Sequence, residues 1–357
     1  MIKGNKGEWS EFYAFLKILT DGKMFTADKN LEILKDNFHI VLKIIREETE
    51  SRKSYDISKQ DGNVVIRDEK SEFCNIVEIN KIKSKVAEIF EEMKNSNGTT
   101  FQVLSAEGVM KDLRCIQIKA SNIHKADLTI VLHDKKSPEF PELGFSIKSM
   151  LGSPSTLLNA SGATNFTYKV VESFSEASSE NNISAVREKS KHVYDAGGHL
   201  EFVSMDNEGF RTNLRKVDSN FPQMIAEILK HYYKGKASKI SDLVDSVSDD
   251  ADFCKKLDLN KRDFAFKMKR FLSDVALGMT PKKEWDGYAS AHGGYIIVKE
   301  DGDVVCYHIY NRDKFEDYLY DNTKLDTPST TRHKFGDFYT ENGEKRIKYN
   351  LQIRFVK

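Results

Sequence analysis

The chain has 357 residues, enough for two domains or one large elaborated one, and its 55 Lys plus Arg balance 55 Asp plus Glu. A zero net charge does not advertise a polyanionic partner, so any such partner must be met by local basic concentrations, as at residues 111–125, 261–270 and 345–354. Four widely separated cysteines (Cys74, Cys115, Cys254, Cys306) offer no zinc knuckle or disulfide framework. With no signal-peptide-like start and no apolar run of membrane-spanning length, a cytoplasmic protein without a membrane partner is expected.

Residues 8–19 place Trp9, Phe12, Phe15, Leu16 and Leu19 at three- and four-residue spacings, which predicts an amphipathic helix ended by Gly22. A longer helix is expected over residues 28–47, burying Leu31, Leu34, Ile40, Leu42, Ile44 and Ile45. Strands follow at 64–67 and 75–79, a helix at 81–93, and strands at 100–104, 114–118, 127–132 and 144–149. After them comes a loop of small polar residues, and the polar stretch 176–191 is the candidate boundary. Helices are expected at 222–233, 240–247, 261–277 and 314–320. Apolar runs flank Glu300-Asp301-Gly302-Asp303 as a hairpin, and a terminal strand covers 349–356 after the turn Asn342-Gly343. The class is mixed α/β.

The segment from Asp127 to Lys148 carries the chemistry. Two apolar strands are joined by a charged connection; an acid opens the first, and Ser146 and Lys148 share one face of the second, opposite Phe145 and Ile147. Phosphodiester hydrolysis needs a nucleophilic water and compensation for charge developing on phosphate oxygens, which a carboxylate-held divalent ion supplies. Asp127 is accordingly the candidate metal ligand and Lys148 the residue that positions the water. Glu11, on the first helix, can be aimed over the sheet edge toward Asp127, with Glu8 one turn earlier; equally, both acids suit a helix N-terminus electrostatically. Beyond Lys148, Gly152, Ser153, Ser155, Ser161 and Gly162 permit close backbone approach, while Thr156, Asn159, Thr164 and Asn165 can donate to phosphates or base edges, or simply form a turn-rich loop.

Asp127…Ser146-Ile147-Lys148 with an upstream Lys6-Gly7-x-x-x-Glu11 helix resembles the PD-(D/E)XK nuclease superfamily. Within it, the stretches Asn5–Tyr13, Leu143–Ser161 and Tyr310-Asn311-Arg312…Pro328–His333…Leu351–Phe355 look like the HpaII-type restriction endonucleases, from the first helix to the last strand. That resemblance implies an α/β core of mixed sheet flanked by helices over residues 1–180, with an insertion at about 26–110, and a C-terminal α+β recognition region over 181–357. It implies a Mg²⁺-dependent type II enzyme that cuts double-stranded DNA at a short palindrome, CCGG foremost, leaving 5′-phosphate and 3′-hydroxyl ends. A cognate methyltransferase would be the functional partner, and a palindrome invites a homodimer.

One position departs from the superfamily pattern: its second acid is Ser146 here. Glu11 is the foremost replacement, with Glu8, Glu142 and Glu172 behind it, and Ile147 can offer its backbone carbonyl to the metal. For sequence readout the candidates are Ser329, Thr330, Arg332, His333 and Lys334, with Asn311 and Arg312 nearby in sequence; arginine reads guanine through two acceptors. The faint GIY-YIG likeness of Gly293-Gly294-Tyr295-Ile296 lacks its partner motif. The competing functional readings are an Mrr-like or repair nuclease and a catalytically inactive DNA-binding protein.

Overall fold

The computed structural model describes residues 2–49, 52–68, 74–120, 126–133, 140–171 and 185–356. They divide into two compact units: Met1–Ser155 with Ala289–Tyr318, and Thr156–Tyr288 with Leu319–Val356. The expected division at 180/181 therefore moves to 155/156. A hairpin of the later chain returns to the first unit because its strands complete that unit's sheet.

The first unit begins with α1 (Lys6–Asp21), β1 (Lys23–Ala27), β2 (Ile33–Glu47), β3 (Arg52–Ser58), β4 (Asn63–Asp68) and β5 (Cys74–Glu78). Then come α2 (Ile79–Asn95), α3 (Ser105–Asp112), β6 (Leu128–His133) and β7 (Glu142–Ser149). The second unit supplies β8 (Thr156–Leu158), β9 (Asn165–Val171), α4 (Val186–Asp195), β10 (His199–Met205), α5 (Glu208–Val217), α6 (Phe221–Tyr233), α7 (Ile240–Ser248), α8 (Ala251–Lys256) and α9 (Lys261–Leu277). The chain finishes with β11 (Gly294–Val298), β12 (Val304–His308), α10 (Arg312–Asp321), β13 (Thr323–Leu325), α11 (Thr330–His333), β14 (Phe338–Glu341), β15 (Glu344–Asn350) and β16 (Ile353–Phe355). No helix among the described residues is long and apolar enough to cross a membrane.

A nine-stranded mixed sheet, in the order β1-β12-β11-β7-β6-β2-β3-β4-β5, organises the first unit; β1 also pairs with β2. Only β1–β12 and β7–β11 are parallel among its pairs. The helix expected at 28–47 is instead the long strand β2. Its density of β-branched and aromatic residues (Ile33, Phe38, Ile40, Val41, Ile44, Ile45) favours an extended chain, and it finds neighbours in β1, β3 and β6. The segment expected to insert at 26–110 thus supplies four strands of the same sheet, β2 to β5. The strands expected at 100–104 and 114–118 are absent: Phe101 makes one isolated bridge to Gly4 before α3 begins, and 114–118 is irregular. The final strand breaks into β15 and β16 around Leu351-Gln352.

The helix α1 is set by its own ends. Asn5 and Glu8 form a capping box, with Glu8 N donating to Asn5 Oδ1 (3.0 Å) and Asn5 N to Glu8 Oε2 (2.8 Å), and Gly22 closes the helix at φ 57°. Trp9, Phe12, Phe15, Leu16 and Leu19 are buried in a core shared with Phe145, Ile147, Ile296 and Val298 of the sheet. Each such side chain contributes roughly 1.5–3 kcal/mol of burial. The opposite face of β11 packs Tyr295 on Phe315 of α10, ring centroids 5.2 Å apart. The second unit holds the sheets β10-β9-β15-β14 and β13-β16-β8. Its core includes Tyr168, Tyr233 and Tyr349, with the Tyr349 ring against each of the other two.

Candidate active site

Asp127 stands one residue ahead of β6, where its amide donates to the Phe145 carbonyl (2.9 Å). That bond extends the β6–β7 pairing and turns the carboxylate back onto β7. There Oδ2 accepts the Ile147 amide (2.7 Å) and the Ser146 hydroxyl (3.0 Å). Ser146 therefore does something the missing acid could not: it donates to Asp127 and fixes its rotamer. The short side chain that departs from the superfamily pattern is a second support for the first carboxylate.

Glu11 comes from α1, and the link that aims it is a buried hydrogen bond between neighbours. Ser10 Oγ donates to Ser149 Oγ (2.8 Å), so the residues beside Glu11 and beside Lys148 are tied together. The Glu11 side chain is 14% exposed, and its Oε2 is buried without a hydrogen-bond partner among the described residues. Burial, then the negative charge of Asp127, push its carboxyl up to about 7, against the pull of Lys119, Lys148 and Arg46. An orphaned, buried carboxylate oxygen beside a second carboxylate is costly unless a cation joins them.

Lys148 follows on β7. Its ammonium lies 5.5 Å from the centroid of the Tyr295 ring, on the strand paired in parallel with β7, and Tyr295 is in register with Ser146. Burial pulls the Lys148 pKa below the ordinary lysine range; Asp127 and Glu11 oppose that fall. A lysine so placed can both hold a water by hydrogen bonding and take up a proton from it.

Glu11, Asp127, Ser146 and Lys148 are thus one constellation. The other acids lie elsewhere. Glu8 is spent on the cap of α1. Glu142 starts β7, six residues and roughly 20 Å of extended chain from Lys148, and pairs with Arg52. Glu172 falls outside the described residues. No three His, Cys, Asp or Glu side chains among the described residues cluster as metal ligands, so the acids the site offers are two, Asp127 and Glu11. Two carboxylates suffice for Mg²⁺, which keeps several of its waters. The orphaned Glu11 oxygen and the hard oxygen donors fit such an ion.

The expected DNA-contacting residues separate into two groups. Thr164 and Asn165 are corrected: both are buried. Thr164 Oγ1 closes a capping turn on Ser161, while Asn165 Nδ2 donates to Asp206 Oδ2 (3.2 Å) and the His333 carbonyl (3.0 Å). The Ser155 hydroxyl donates to the Ser149 carbonyl (3.0 Å) and shapes the loop, while Ser153 and Asn159 are exposed. Arg312 pairs with Glu316 (2.6 Å), and Asn311 precedes it in the same unit. In the second unit Ser329 caps α11 by accepting the Arg332 amide (3.3 Å); Thr330 and His333 are half-buried, and Arg332 and Lys334 are exposed.

Sequence reasoning missed Ser10, Ser149, Tyr295 and Lys119. Serines adjacent to catalytic positions carry no pattern. Lys119 was visible only as one charge in a basic stretch.

A model of the HpaII restriction endonuclease family matches residues 5–355 of the chain. A relative, the type II restriction enzyme HpaII of Haemophilus parainfluenzae, is 41% identical over 357 residues, covering 99% of this chain and 99% of its own. No solved structure matches.

Proposed function

The chain belongs to the HpaII restriction endonuclease family and is a type II site-specific deoxyribonuclease, and from that premise we propose that it cuts double-stranded DNA at CCGG by Mg²⁺-dependent hydrolysis at a PD-(D/E)XK-type site. The observation that carries the mechanism is the convergence of Asp127 with the buried Glu11, whose Oε2 has no hydrogen-bond partner among the described residues, beside Lys148. Asp127 and Glu11 would hold the ion, with the Ile147 carbonyl adjoining. Bound there, a divalent ion supplies Lewis-acid polarisation of the phosphate and charge compensation at the leaving oxygen.

The protein's own residues do the rest. Ser146 and the Ile147 amide lock the Asp127 carboxylate. Lys148 Nζ aligns the attacking water and takes its proton, a role that burial favours by pulling its pKa below the ordinary lysine range. A P–O bond to the water oxygen forms, the P–O3′ bond breaks, and the 3′-oxygen picks up a proton from solvent. The products are 5′-phosphate and 3′-hydroxyl ends. Ser153, Ser155 and Asn159 are the backbone-facing candidates, and Arg332, with Lys334, His333, Thr330 and Ser329 around it, is the candidate reader of guanine. A cognate methyltransferase protects host sites, and a homodimer matches a twofold palindrome.

The test incubates purified protein with unmethylated plasmid in Mg²⁺ or EDTA and sequences the fragment ends. Discrete Mg²⁺-dependent ends at CCGG are expected. Smeared or methyl-dependent products would favour an Mrr-like or repair nuclease; specific binding without hydrolysis would favour an inactive DNA-binding protein.

A further inference from the structure

The geometry points to Lys119 as a second lysine of the active site, one that contacts the phosphate undergoing cleavage. This rests on the endonuclease reading above and adds to it a residue outside the Asp127…Lys148 pattern.

The first observation is position. Lys119 Nζ lies 3.9 Å from Glu11 Oε1, within ion-pair range but beyond a hydrogen bond, and the side chain is 37% exposed. Its ammonium therefore faces Glu11, and it donates no hydrogen bond to a side chain or carbonyl among the described residues. Its charge is felt at both Glu11 and Lys148, so it lies close to the acid and the lysine of the site.

The second observation is how it is held. Lys119 sits in an irregular stretch after α3, which has no helix or strand to fix it. Side chains at the end of β2 and just beyond it do so instead. Arg46, 2% exposed, donates from Nη2 to the carbonyls of Gln117 (3.1 Å) and Ile118 (3.0 Å), the two residues just before Lys119. Glu48, wholly buried at its side chain, accepts the Ile116 amide (3.3 Å) and pairs with Lys53 (2.5 Å). Apolar replacements often serve stability as well as a buried ion cluster does. An apolar side chain cannot grip backbone carbonyls, and gripping them fixes the direction in which Lys119 leaves the chain.

The third argument is charge. Asp127 and Glu11 together carry two negative charges, which a divalent ion cancels. Attack by hydroxide on a phosphodiester takes the reacting phosphorus group from one negative charge to two. Lys148, once it has taken the water's proton, supplies one positive charge. Lys119 is placed to supply the other, where charge develops.

The experiment compares wild type, Lys119→Ala and Lys119→Arg on the duplex that wild type cuts. Binding is measured in EDTA over a range of salt, and single-turnover cleavage in saturating Mg²⁺. For Lys119→Ala the slope of log K against log salt should fall by about 1, as for one lost phosphate contact, with cleavage slowed by about 10²-fold. Lys119→Arg should keep the slope. An unchanged slope overturns the proposal, since a lysine that merely balances Glu11 in the free protein would leave it unmoved. A reduced slope with an unchanged cleavage rate also overturns it, by assigning Lys119 to a phosphate away from the reaction. Wild type that fails to cut would sink the endonuclease reading instead, so the two failures are distinct.

Discussion

Replacing Glu11 by glutamine should stabilise the metal-free protein while destroying its activity, and the stabilisation should depend on pH in one direction. Burial and Asp127 raise this carboxyl from 4.5 to about 7. Between those values the folded protein holds a proton that the unfolded chain has released, so folding stability falls as pH rises through that window and levels above it. At 1.36 kcal/mol per unit the interval sets a ceiling of about 3 kcal/mol. The attractions of Lys119, Lys148 and Arg46 are already contained in that interval, so a gain of up to about 3 kcal/mol over wild type is expected at pH 8, vanishing toward pH 4.5.

Urea unfolding in EDTA at pH 5 and pH 8, followed by the fluorescence of buried Trp9 in a Trp285→Phe background, reads the unit that carries the site. Adding Mg²⁺ at pH 8 should then stabilise wild type, by about 2.7 kcal/mol at a hundredfold excess over its Kd, and should do much less for Glu11→Gln. A difference between the two proteins that stays flat with pH would refute the electrostatic account. Equal stabilisation of both by Mg²⁺ would remove Glu11 from the metal site.

Asp127→Ala and Lys148→Ala should each abolish cleavage while leaving much of the DNA binding measured in EDTA; retained nicking by Asp127→Ala would sink the site. Ser146→Ala removes one donor to a charged oxygen, worth about 1.5 kcal/mol or more, so single-turnover cleavage should slow by about 10-fold rather than vanish. Loss as complete as that of Asp127→Ala would instead make Ser146 a direct participant. Arg332→Ala should relax discrimination at one base pair by about 1–3 kcal/mol, read as new cleavage at sites differing from the target by one base.

The sequence was legible where a residue's neighbours along the chain decide its structure. The capped helix α1, the β6–β7 hairpin, α9 and the turn at Asn342-Gly343 depend on local periodicity and turn chemistry, and the structure has them. It was illegible where distant partners decide. β2 carries apolar spacings that suit a helix or a strand, and pairing with three other strands settles the matter. Residues 114–118 look like a strand because they alternate, but the buried Arg46–Glu48–Lys53 cluster takes up the Ile116 amide and the Gln117 and Ile118 carbonyls and holds them as an irregular stretch.

The same distinction runs through the active site. Asp127 and Lys148 could be picked out because a hairpin brings them together within one stretch of sequence. Glu11 could be suggested only as one of several acids; Ser10 on Ser149 and the orphaned Oε2 distinguish it from Glu8 and Glu142. Ser146 looked like a deficit because a pattern counts carboxylates. A serine and a carboxylate at that position are not interchangeable, since a hydroxyl donates to Asp127 where a second carboxylate would repel it. In the proposed site, placing the second acid on α1 keeps two carboxylates together and lets β7 spend its side chain on holding the first acid still. The arrangement then depends on α1 keeping its place over the sheet, so disturbing the Ser10–Ser149 contact should impair the site without touching any charged residue.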